Sequence, residues 1–200
     1  MFHSKQNHQP ANQRLFPLIS IVSLYYVAFL WGISEATFFF IVPDLFLSLI
    51  CIRYNAYQAI CFSLLTLAGA LVGGVLLYYL GRAYPEIIYN LLERLPAINT
   101  DMMQEVREKT QYGLSSLVVG SFTGVPYKLY SYEAGQQSIN LVQFVLISIP
   151  ARLFRWALVI VFCQFVLFYL QKIFSQSQII KIFFGFWFVF YGAFFSLMPG

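Results

Sequence analysis

The sequence has little charge. Asp, Glu, Lys and Arg together make up 10% of its 200 residues, where a soluble domain carries about 25%. Hydrophobic types reach 60%, against ~45–50% for a soluble domain, so lipid rather than water is the expected solvent. Histidine is nearly missing. The two present, His3 and His8, lie in a polar N-terminal tail, which argues against His-based acid–base work and metal catalysis. No HExxH, GxSxG, P-loop or GxGxxG occurs, so the chain is read as a non-enzyme without metal or cofactor. Cysteine is scarce. Cys51, Cys61 and Cys163 all sit in apolar runs with no CxxC spacing; such residues behave as small hydrophobes, and no disulfide framework is expected. There is no basic run either. The net charge of +4 points to anionic lipid headgroups rather than nucleic acid.

Aromatics are plentiful, with 22 Phe and 14 Tyr, as lipid-facing and interfacial surfaces require. Residues 1–14 form the polar tail, with Lys5 and Arg14. The apolar run at 15–33 is too long for a signal-peptide core and lacks a small-residue cleavage site. A spanning helix needs ~20 mostly apolar residues. Residues 15–34, 57–81, 140–172 and 179–198 qualify, the third interrupted by Pro150, Arg152 and Arg155. The segment 57–81 would be about 38 Å long as a helix. Residues 15–200 are therefore read as one transmembrane domain.

Two further apolar stretches are unsuited to simple spans. Residues 33–52 carry Glu35, Pro43 and Asp44, and residues 113–135 carry Gly120, Gly124, Pro126, Lys128 and Glu133. Irregular backbone at membrane depth is tolerated only inside protein or beside a wet cavity. Both stretches are read as re-entrant helical hairpins; the alternative is a kinked span or a loop between spans. Each precedes a long apolar segment, which suggests an inverted repeat with flanking transmembrane helices. The expected fold is all-α and polytopic.

Between the halves lies a polar stretch. Ile87, Ile88, Leu91, Leu92 and Leu95 share one helical face, with Pro85 suited to a start and Pro96 to a stop. Thr100 or Asp101 can cap a second short helix through Lys109, with Met102, Met103 and Val106 on its apolar side. Over about residues 84–110 these read as amphipathic helices on the membrane surface, or as a small hairpin packed on the bundle. Lys5 and Arg14 favour a cytoplasmic N-terminus, and Arg82, Arg94, Arg107 and Lys109 a cytoplasmic central stretch.

Glu35, Asp44, Lys128, Glu133, Arg152 and Arg155 are ionisable groups at membrane depth. Each costs about 2.5–3.5 kcal/mol at a helix centre on insertion scales, so they are expected to face one another around a polar cavity. Arg152 and Arg155, three apart, share a helix face, and a guanidinium can hold a phosphate bidentately. Glu35 or Asp44 could exchange a proton if desolvation dominates. The competing reading is a static ion-pair network, with Asp44 and Arg82 snorkelling. Gly69–Gly73 and Gly120–Gly124 give small-residue spacings that let helices approach, with the first expected to pack the long helix on a broken segment.

The run GALVGGVLLYYLGR at 69–82, with Gly69, Gly73, Gly74, Tyr78, Gly81 and Arg82, resembles the signature of the DedA/VTT (SNARE-associated-like) superfamily of membrane proteins. Glu35 with Pro43–Asp44 is similar to its acidic element. Tyr112–Gly113, Gly120, Pro126, Lys128 and Ala134–Gly135 are similar to its second block. Phe144 with Arg152-Leu153-Phe154-Arg155 is similar to its terminal element, most as in the YqaA-like branch. The resemblance covers about residues 33–160. It departs in a shorter Glu35-to-Asp44 spacing and in Ser121, where Arg is frequent. It implies two facing re-entrant helices and movement of phospholipid or polyprenyl-phosphate carriers between leaflets, with proton coupling. On that reading Glu35 and Asp44 are proton or counter-charge groups, and Lys128, Arg152 and Arg155 bind the headgroup. The alternatives are a proton- or ion-coupled transporter of a small polar solute and a non-transporting scaffold. Membrane lipids are the expected partners, self-association is open, and a bacterial inner membrane is the expected location.

Overall fold

The computed structural model describes residues 21–96 and 98–197; the polar tail with His3, Lys5, His8 and Arg14 and the start of the first apolar run lie outside them. The described residues form nine helices and no strand: α1 (Ile21–Thr37), α2 (Pro43–Arg53), α3 (Ala56–Ala83), α4 (Pro85–Glu93), α5 (Thr100–Gln111), α6 (Ser115–Thr123), α7 (Tyr127–Gln136), α8 (Leu141–Leu170) and α9 (Gln176–Leu197). Helices α3, α8 and α9 are long and apolar enough to cross a membrane. The fold of the described residues is all-α, as expected.

Local chemistry sets the boundaries. Both long inner helices start on an asparagine. Asn55 Oδ1 accepts from the Gln58 amide at 2.8 Å, and Asn140 Oδ1 accepts from the Val142 and Gln143 amides at 2.9 and 3.2 Å, satisfying donors a helix start leaves free. Pro150 lies inside α8 but does not end it, so the expected interruption of that segment is absent and α8 is one helix. The polar stretch gives α4, opened by Pro85, and α5. The α5 cap is Asn99, whose Oδ1 accepts from the Met102 amide at 2.8 Å, and not Thr100 or Asp101, which lie inside the first turn.

The two charge-bearing stretches are each broken once. The first breaks between α1 and α2, at residues 38–42, and the second between α6 and α7, where Gly124 takes a left-handed φ of 86°. That conformation suits glycine. Gly124 is therefore a turn residue with open space around it, and Gly120–Gly124 is not a packing pair.

Helix α3 is the spine, packed against α1, α2, α7 and α8. Its glycines permit this. A Cβ on Gly69 would lie 2.0 Å from the Phe29 carbonyl oxygen, and one on Gly32 would lie 2.1 Å from that of Thr66, so α1 and α3 touch through their backbones. Gly73 meets Ile33 and Ala36 of the first broken stretch, while Gly74 and Gly81 meet Tyr127 and Tyr132 of the second. Helix α7 lies innermost, with every residue from Tyr127 to Gly135 buried.

Candidate functional site

Both breaks line one cavity of about 100 Å³, together with Glu35, Pro43, Pro126, Lys128, Arg152 and Arg155 among others. Of the six ionisable residues singled out from the sequence, Glu35, Lys128, Arg152 and Arg155 thus share one space. Asp44 is joined to it by an ion pair, and Glu133 lies outside it.

Two pairs span the halves of the chain. Arg152 bonds Glu35 and Arg155 bonds Asp44. Arg155 also donates to the Ser121 carbonyl at 3.1 Å, so one guanidinium holds α2 and α6 together. Lys128 donates to the Phe39 carbonyl at 2.7 Å, linking the first turn of α7 to the break after α1. Among the described residues Lys128 has no carboxylate partner. The guanidinium of Arg152 is set by two aromatic faces, 4.2 Å from the Tyr127 ring and 5.0 Å from that of Trp156. Tyr127 is in turn stacked on Phe144 and donates to Ser148 Oγ at 3.1 Å.

The electrostatic balance favours an anion. Glu35 and Asp44 are each matched by an arginine, leaving Lys128 as a surplus cation. The N-termini of α2 and α7 also come to the cavity through Val42, Pro43, Pro126 and Tyr127. Neither has a side-chain cap, so amide donors are left for another partner, and helix N-termini attract negative charge. The Nε of Arg152 is buried and has no hydrogen-bond partner. Two charges sit against their helix dipoles, Glu35 in the last turn of α1 and Lys128 in the first turn of α7. That arrangement costs stability. By contrast Asp44, in the first turn of α2, is favourably placed.

An apolar groove of about 650 Å³ runs between α8 and α9 on the outer surface, from Asp44 and Ser48 to Leu170 and Ile179. The Asp44–Arg155 pair stands between it and the cavity, since Asp44 lines the groove and Arg155 the cavity. Sequence reading did not anticipate this groove, because its walls are lipid-like residues with no pattern of their own.

The remaining motif residues are structural neighbours. Tyr78 donates to the Ile139 carbonyl at 2.6 Å, closing α3 onto the start of α8. Gly120 packs against the Tyr130 ring. Arg82 is exposed at the end of α3 and does not line the cavity. Glu133 is buried but opens on a separate polar depression of about 940 Å³ among α4, α5 and α7.

Comparison with known proteins gives two matches. The pattern of the VTT domain fits residues 42–165, a stretch that begins at the last residue of the first break and holds the whole of the second, leaving out Glu35 and α1. An uncharacterized protein of Haemophilus influenzae is 26% identical over 125 residues, which cover 62% of this chain and 64% of that relative. The chain thus spans a little under two thirds of the curated relative it matches. No solved structure matches.

Proposed function

Starting from the fact that the chain belongs to the VTT domain family, we propose that it is a lipid translocase, moving a lipid with an anionic, phosphate-bearing headgroup between membrane leaflets. The observation that carries this reading is the cavity between the breaks, lined by two helix N-termini without side-chain caps, by Lys128 and by Arg152, whose Nε has no hydrogen-bond partner. Broken helices whose N-termini meet at mid-membrane suit an anionic substrate. In this reading both broken stretches are re-entrant and the two halves form an inverted repeat. Lys128, Arg152 and Arg155 receive the headgroup. Glu35 and Asp44 hold the arginines in its absence and take up a proton, or remain counter-charges, when it binds.

The surplus of one positive charge favours a singly charged phosphodiester over a doubly charged monoester. The groove favours lipid over a small polar solute. A headgroup in the cavity and a chain in the groove would meet at Asp44–Arg155, whereas a solute carrier needs no apolar channel. The match to a bacterial relative supports a bacterial inner membrane as the location.

The test is leaflet translocation in liposomes. Purified protein is reconstituted with labelled phospholipid or labelled polyprenyl phosphate, comparing wild type, Glu35→Gln and Arg152→Ala. The expectation is faster translocation with wild type and its loss in both variants at equal insertion. Translocation no faster than in empty liposomes for either lipid class would overturn the reading and bring forward solute transport or a scaffold role.

A further inference from the structure

Two cysteines distant in sequence meet across the seam between α2 and α8. Cys163 donates to the Ser48 carbonyl at 3.7 Å, and Cys51 follows Ser48 by one turn on α2, so the two thiols are side-chain neighbours across the seam. Asp44, Ser48 and Cys51 follow one another at helical spacing on one face of α2, and Arg155 and Cys163 do so on α8. The contacts Asp44–Arg155, Ser48–Cys163 and Cys51–Cys163 therefore run in register along one seam. Cys51 is buried, while Cys163 is half-buried and lines the apolar groove. Cys61, on α3, has no part in this contact.

We propose that Cys51 and Cys163 form a reversible disulfide, made by a lipid-soluble quinone-class oxidant that reaches Cys163 through the groove, and that this bond ties α2 to α8. Two S–H bonds break and one S–S bond forms. The two electrons and two protons pass to the quinone, which leaves as the hydroquinone. A dithiol reductant reverses the step by thiol–disulfide exchange. The bond lies about two helical turns from Asp44–Arg155 and joins the same two helices. It would hold that pair closed. This consequence rests on the lipid path proposed above; the thiol chemistry does not.

The test uses the full chain in liposomes, treated with a fully substituted benzoquinone, whose ring offers no open position for thiol addition. Mass analysis without reduction is expected to show Cys51 and Cys163 peptides joined with the loss of two hydrogens, and Cys61 still open to alkylation. Dithiothreitol should restore all three thiols, and Cys51→Ser should abolish the link. Translocation should fall roughly tenfold on oxidation, recover on reduction and be insensitive to the quinone in Cys51→Ser, as expected when one conformer is locked. Cys51 and Cys163 remaining fully alkylatable after quinone treatment would overturn the proposal, as would oxidation of Cys61 into links between chains at the same rate. A joined pair in a protein that moves no lipid even when reduced would count against the translocase alone. An unjoined pair in an active protein would count against the disulfide alone.

Discussion

The Lys128 ammonium donates to the Phe39 carbonyl at 2.7 Å across 89 residues of sequence, fastening one helix break to the other. Its cost is plain, since Lys128 is 3% exposed, sits at a helix N-terminus and makes no ion pair among the described residues, with the nearby Glu35 taken by Arg152. A buried cation in that position is retained against stability.

Lys128→Met keeps the apolar stem and removes the charge. Translocation should fall by about tenfold or more, the equivalent of one charged hydrogen bond of ~1.5–3 kcal/mol. Thermal stability in detergent should hold or rise, because a desolvated cation is lost. A variant that loses stability and activity in proportion would show that Lys128 is only a strut.

The Glu35–Arg152 pair gives a second prediction. Removing one partner of a buried pair leaves an uncompensated charge and costs about 3–5 kcal/mol, whereas replacing both can be nearly neutral. Arg152→Met should therefore melt well below wild type, and Glu35→Gln combined with Arg152→Met should recover much of the loss while remaining inactive. Melting of the four proteins closes the cycle. Additive losses would mean that the two residues do not act on each other.

Much of this site is legible in the sequence because charge in an apolar run is conspicuous. Glu35, Asp44, Arg152 and Arg155 stand out for that reason, and opposite signs imply pairing. Which acid meets which base is not legible, since it depends on how α1, α2 and α8 pack. Pro150 misleads as a break because α8 continues through it. The Asn55 and Asn140 caps are a local signal that could have marked the starts of α3 and α8. The Cys51–Cys163 contact leaves no trace in spacing, because it is made wholly by tertiary packing.

The α1–α3 contact should be intolerant of even one methyl group. Gly69→Ala and Gly32→Ala each drive a Cβ to about 2 Å from a carbonyl oxygen. Backbone cannot yield there as a flexible side chain can, and a loss of ~3 kcal/mol or more is expected. Gly185→Ala and Gly192→Ala in α9, with nothing within 4 Å, should change stability by no more than about 1 kcal/mol, in the direction of helix propensity. Detergent-solubilised yield and melting temperature separate the two groups. Equal effects at all four positions would mean that the close α1–α3 approach is not required.

Glu133 lies outside the three spans, at the end of α7 that faces α4 and α5, and its titration should be visible in stability. Burial raises its pKa above the ordinary value of 4.5, with the Gln137 hydrogen bond and the Arg107 charge pulling less strongly the other way. Glu86, Glu108, Arg107 and Tyr132 share its depression, and the two glutamates add no stabilisation to an ionised Glu133. A raised carboxylate pKa means that the folded protein favours the proton-bound form. The stability this contributes is complete below the unfolded value of 4.5 and is lost as pH rises through the higher folded value. Glu133→Gln mimics the protonated acid at every pH. Its melting temperature should match wild type below pH 4.5 and exceed it increasingly as pH rises above that value. A constant offset across that range would mean that Glu133 does not change its protonation, and a variant that melts lower at alkaline pH would mean that the ionised carboxylate is held by a cation.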